Sequence, residues 1–132
     1  MSGTNDVDLG AVSLTVPRLP AYLRLVRLAA ADAGARADLP IEDVEDLKIA
    51  VDELTYLLIG EDADGGSAEE TLTLRYAVSP GSVEIEGAGA AVGEPVVLSD
   101  LSRNIISAVV DEYDIGDEGG LRRFRLVKRN QT

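Results

Sequence analysis

Apolar positions along the chain repeat with a period of two in some stretches and of three to four in others, and the switches between these periods delimit the elements. Residues 11–16, AVSLTV, are β-branched and roughly alternating, and Pro17 is expected to stop them as an edge strand. From Pro20 the pattern turns helical. Leu19, Leu23, Val26, Ala30 and Ala33 recur at spacings of four and three, Arg24 and Arg27 fall off that stripe, and Gly34 is expected to end it. A second helix starts near Pro40. Glu42, Asp43, Glu45 and Asp46 complement the positive end of its dipole, and Val44, Leu47, Val51, Leu54 and Leu58 form its apolar stripe.

Residues 60–70, GEDADGGSAEE, combine glycines with acids and read as a solvated, flexible loop. TLTLRYAV (71–78) and SVEIEGAG (82–89), separated by Ser-Pro-Gly, predict a hairpin. In SDLSRNIISAVVDEYD, Ser99 can cap a third helix whose apolar face is Leu101, Ile105, Ile106, Val109 and Val110. DIGDEGG reads as a turn, and residues 121–129 read as a last strand with Arg122, Phe124, Leu126 and Lys128 on one face. The order β, α, α, β, β, α, β predicts an α+β two-layer sandwich, with helices on one face of a mixed, largely antiparallel sheet. Residues 1–10 are expected to be a flexible N-terminus and 11–130 a single domain.

Composition narrows the chemistry. Of 132 residues 45% are apolar, but only 4% are aromatic and none is Trp, so Leu, Val, Ile and Ala must build the core. A formal charge of −12 argues against nucleic acid and anionic membranes as partners and favours a basic protein. The basic run Arg122, Arg123, Arg125, Lys128 and Arg129 is expected to pair with acids on neighbouring elements. The chain has no Cys and no His, which removes disulfides, imidazole metal ligands and any histidine base. The first residues lack a basic start and an apolar run, and no stretch is apolar for long enough to span a bilayer; a cytoplasmic location is expected.

IAVDELTYLLIG (49–60) places Asp52 and Glu53 side by side in a helix, about 100° apart, so they cannot both line one site. A solvated side chain beside an ion-paired one is the plainer reading, and catalysis the sharper one. The wider segment EDLKIAVDELTYLLI (45–59), with the glycines of VEIEGAGAAVG and the overall element order, resembles the RsbW-type anti-sigma factors and serine-protein kinases. These share the ATP-binding fold of histidine kinases and gyrase. The resemblance implies a Glu, here Glu53, that activates a hydroxyl, and an Asn four residues on that binds magnesium; Leu57 stands at the Asn position. It implies an adenine-reading Asp before two spaced glycines; Gly87 and Gly89 match, but Ile85 stands at the Asp position. It also implies a glycine-rich phosphate loop, where this chain has Ser99, Asp100 and Ser102.

Three departures therefore make Glu53 a vestigial catalytic residue and Gly87 and Gly89 weak cofactor-binding positions; no metal ligand is expected, and ATP with magnesium is the alternative. VDELTYLLI is similar to the helix of the actinobacterial UsfX-like members, which depart in the same way. The resemblance implies an alternative sigma factor and an anti-anti-sigma factor as partners, in a homodimer, with an arginine at the position of Arg24 on the surface both partners use; Arg27, one turn on along the same exposed side, is the second partner-binding candidate. The plainer reading of both arginines is a solvated helix face. Two rivals remain: an active serine-protein kinase using Glu53, and a regulatory module for another protein.

Overall fold

The computed structural model describes residues 10–60 and 67–130. The elements are β1 (Ala11–Arg18), α1 (Leu23–Arg36), α2 (Ile41–Ile59), β2 (Ser67–Ser79), β3 (Ser82–Ala90), α3 (Asp100–Val109), β4 (Glu112–Glu118) and β5 (Leu121–Arg129). One short 3-10 turn, Pro20–Tyr22, leads into α1. The five strands form one sheet in the order β1-β2-β3-β5-β4, and every neighbouring pair runs antiparallel. The α+β two-layer class is as expected, with the sheet antiparallel throughout rather than mixed.

Alternation explains which side of the sheet the helices cover. Leu72, Leu74, Tyr76 and Val78 of β2, Val83 and Ile85 of β3, and Phe124 and Leu126 of β5 all point into the core. The intervening residues make a polar outer face, where Arg125 pairs with Glu84 at 2.8 Å and Arg75 with Glu86 at 3.8 Å across strands. On the inner face α1 lies over β2 and β3, and α2 over β3 and β5. The stripe Val44, Leu47, Val51, Leu54 and Leu58 is buried along its whole length. Tyr76 carries its hydroxyl into this layer and donates it to the Val26 carbonyl at 3.0 Å; burial pushes its pKa up.

Several boundaries differ from the sequence expectation. Pro17 does not stop β1, which runs on to Arg18 across an irregularity in its pairing with β2. Gly34 does not end α1. It lies buried within the helix, where an added Cβ would meet Val44 of α2 at 3.0 Å, so its value is the close approach of two helices. The chain leaves α1 through Asp38, whose φ of 59° supplies the left-handed step. Residues 67–70 belong to β2 rather than to a loop, and 61–66, like 1–9, lie outside the described residues. DIGDEGG is not a turn: residues 112–118 form β4, and only Gly119 and Gly120, both with positive φ, turn the chain into β5.

Candidate functional site

A cavity of about 650 Å³ opens where the C-terminal end of α2 meets the 92–97 segment. Leu57 and Gly60 come from the helix side, and Val92, Pro95, Val96 and Val97 from the segment that leads into α3. Its size suits a small-molecule site, and its walls are largely apolar. Two guanidinium groups, Arg18 and Arg122, and the acids Glu70 and Glu94 supply the polar part.

Both arginines are buried and both are already engaged. Arg18 closes the end of α2: Nε donates to the Leu58 carbonyl at 3.3 Å, Nη2 to Ile59 at 2.8 Å, and Nη1 pairs with Glu70 at 2.8 Å. It satisfies carbonyls that the last turn of a helix leaves open. Arg122 binds Asp117 through two bonds of 2.8 and 3.1 Å and donates to the Glu94 carbonyl at 2.8 Å. The Asp117 contact raises the Arg122 pKa and holds the Asp117 carboxyl below the usual carboxylate range. Each cation thus has a carboxylate counter-charge within the fold.

The remaining positions fit a magnesium-bound triphosphate no better. Leu57 lines the cavity and offers no oxygen ligand. Ile85 is fully buried in the core, while Glu84 and Glu86 turn to the outer face and pair with arginines there. Gly87 and Gly89 do not line the cavity; the Phe124 ring lies against the first and Leu72 against the second, so their missing side chains make room for the core. Ser99 caps α3 by accepting the Ser102 N–H at 3.0 Å, and Asp100 beside it is almost fully exposed. Glu53 is half-buried and is not part of the cavity wall.

A second feature lies on the outer surface of the two long helices. Arg27 of α1 bonds Asp52 of α2 at 3.0 Å, which gives Asp52 a structural partner. Around that bridge Ile49 and Tyr56 follow the Asp52 stripe of α2 at spacings of three and four, and Leu28, next to Arg27, is 58% exposed. Arg24 is exposed one turn before Leu28. The structure thus brings Arg24, Arg27 and Asp52 onto one face and leaves Glu53, Gly87 and Gly89 elsewhere. The basic run is dispersed into pairs: Arg122 with Asp117, Arg125 with Glu84 and Glu112, Arg129 with Glu112, and Lys128 with Asp43 and Asp46 at the start of α2.

Sequence reasoning passed over Arg18, Glu70, Glu94 and the 92–97 segment. Arg18 had a legible signal, because it continues the Val12, Leu14, Val16 alternation and so had to point inward. Among the described residues no helix is long and apolar enough to cross a membrane.

The fold and the two helices over its sheet define an RsbW-like architecture. A solved structure, that of the RsbU and RsbW domains of Rv1364c from Mycobacterium tuberculosis, superposes with a TM-score of 0.69 at 17% sequence identity, its RsbW domain being the matching part. The match covers 91% of this chain and 32% of that one, so the chain spans about a third of the length of that neighbour. No family model matches the sequence, and no curated protein matches it either.

Proposed function

We propose that the protein is an anti-sigma factor of the UsfX-like kind, a homodimer that holds an alternative sigma factor by surface contact and releases it to an anti-anti-sigma factor. The observation that carries this reading is the exposed helical face: Leu28, Ile49 and Tyr56 set around Arg24 and the Arg27–Asp52 bridge, on an RsbW-like fold. Exposed aromatic and aliphatic side chains with an arginine are the composition of binding hot spots. The surplus of acid over base suits a basic partner segment and speeds encounter with it.

Nucleotide plays no part in this reading. With both cavity arginines neutralised and Leu57 at the cavity wall, sequestration proceeds by competition between two partners for overlapping surface, without phosphoryl transfer. The test is affinity capture from the native host with and without Mg-ATP, followed by capture with Tyr56→Ala and Arg24→Ala. A sigma factor retained equally in both conditions, and weakened about tenfold or more by each substitution, is expected. Labelled phosphate appearing on a cognate antagonist and abolished by Glu53→Ala would instead establish the kinase reading.

A further inference from the structure

β4 ends the sheet beside β5, and among the described residues it pairs with no other strand. Its register fixes which backbone groups face outward. Gly119 and Gly120, both with positive φ, make a two-residue turn, so Glu118 and Leu121, which flank it, form a hydrogen-bonded pair. Alternation then turns Glu112, Asp114 and Gly116 toward β5 as well, and leaves the N–H and C=O groups of Tyr113, Ile115 and Asp117 on the free edge. No turn, loop or cap bond among the described residues uses them.

The side chains of β4 give that edge two unlike faces. Toward the helices, Tyr113 and Ile115 are only partly buried against the core, as are Val109 and Val110 where α3 ends, so the apolar layer stops short of full cover here. On the other face Asp114 and Glu118 are exposed, and among the described residues neither makes an ion pair. Between them Gly116 meets nothing within 4 Å and lines a hollow of about 520 Å³. The β5 side shows what such carboxylates take up: Glu112, on the same face, is held by Arg125 and Arg129 of the neighbouring strand.

We propose that β4 is a docking edge for an extended segment of a protein partner, which adds to the sheet antiparallel to β4, with basic residues opposite Asp114 and Glu118 and apolar residues completing the cover of Tyr113 and Ile115. Charge selects this occupant. In such an addition Asp114, Gly116 and Glu118 fall in the non-hydrogen-bonded pairs, where Cα atoms approach to about 4.5 Å and side chains interact most closely. A second copy would set Asp114 and Glu118 against the same two acids, which is destabilising. Residues 1–9, 61–66 and 131–132 contain no Lys or Arg, so no segment of this chain outside the described residues has the matching charge. The partner's pattern is basic, apolar, any, apolar, basic, with room for a large side chain at the middle position over Gly116. The edge shares no residue with the α1–α2 face of the proposed function, so either can fail while the other stands.

The probe is the end-capped peptide Thr-Val-Lys-Val-Tyr-Val-Lys-Val-Thr, titrated into the full chain and followed by calorimetry and by amide hydrogen exchange. Binding is expected to slow exchange at the amides of Tyr113, Ile115 and Asp117, because these gain partners only if a strand is added. Methylating the backbone nitrogens of the peptide's valines keeps its charge but removes the donors that face β4, and should weaken binding about tenfold or more. Replacing both peptide lysines by Glu should do the same, and so should Asp114→Lys or Glu118→Lys in the protein, with an unchanged circular dichroism spectrum. Asp32→Lys, the same charge change on α1, should leave affinity within about twofold. No binding, equal binding of the methylated peptide, exchange slowed in other elements instead, or an equal loss in Asp32→Lys would each overturn the docking edge. If the β4 variants fail to fold, the methylated peptide and the exchange pattern decide alone.

Discussion

α2 and α3 are both amphipathic by pattern, but one is built into the core and the other laid over its margin. α2 buries nine of its nineteen residues, whereas α3 buries one of ten, Ile106. α2 is held by α1, β3 and β5 and closed by Arg18; α3 rests on α2 and β4 and depends on Ile106 and the Ser99 cap. The difference teaches that helical periodicity reports a face, not how much covers it. Elements with few buried contacts open at lower free energy than the whole domain, so α3 and the adjoining cavity wall should be the locally adjustable part.

The largest effects separate these two helices. Leu54 is fully buried in the middle of α2, and Leu54→Ala should cost about 2–5 kcal/mol and lower Tm accordingly. Ile106 is equally buried, yet the cost of Ile106→Ala is capped by the free energy that docks α3, because no other residue of that helix is buried. Thermal melts should show the smaller loss for Ile106→Ala, with hydrogen exchange quickened in α3 alone. Equal drops in Tm would break the contrast and make α3 part of one cooperative unit.

Glycines sharpen it at intermediate scale. An added Cβ at Gly87 would collide with the Phe124 ring between two fixed strands, so Gly87→Ala should cost about 1–3 kcal/mol through overpacking. Gly116, on β4, meets nothing within 4 Å and has no positive φ, so Gly116→Ala should be neutral or slightly stabilising. If Gly87→Ala proved harmless in chemical denaturation, Phe124 would have somewhere to move, and the glycine would be free for another purpose.

What was legible in the sequence follows the same division. The α2 stripe and the β2–β3 hairpin could be read because each face is strongly one-sided, and burial then enforces the period. β4 was missed because an edge strand with four acids and a glycine has little intrinsic strand preference; its pairing with β5 overrides this, and only Tyr113 and Ile115, two apart, hinted at it. The helical face was half legible. Arg24 and Arg27 stood out by falling off the stripe, but the pairing of Arg27 with Asp52 joins residues 25 positions apart, which no local pattern contains. The cavity was illegible for a like reason: Arg18, Leu57, Val96 and Arg122 meet only through the sheet order.

The smallest predicted effect concerns pH and falls on the β4 side. Arg122 holds the Asp117 carboxyl, and Arg129 with Arg125 the Glu112 carboxyl, below the usual carboxylate range. A folded-state pKa lowered in this way adds stability that is complete above the unfolded value, near pH 4, and is lost as pH falls through that range and below it. Acid should therefore loosen the β4–β5 pair, while the apolar contacts of α1, α2 and β2 carry no such dependence. Melts of the wild type, Asp117→Asn and Glu112→Gln from neutral pH down to about pH 3 should differ at the neutral end and converge in acid. Asp117→Asn should show the larger difference, because it leaves the buried Arg122 without its counter-charge whereas the arginines around Glu112 keep solvent. Parallel curves at every pH would mean that these pairs contribute nothing net, and that the β4 edge is held by backbone pairing alone.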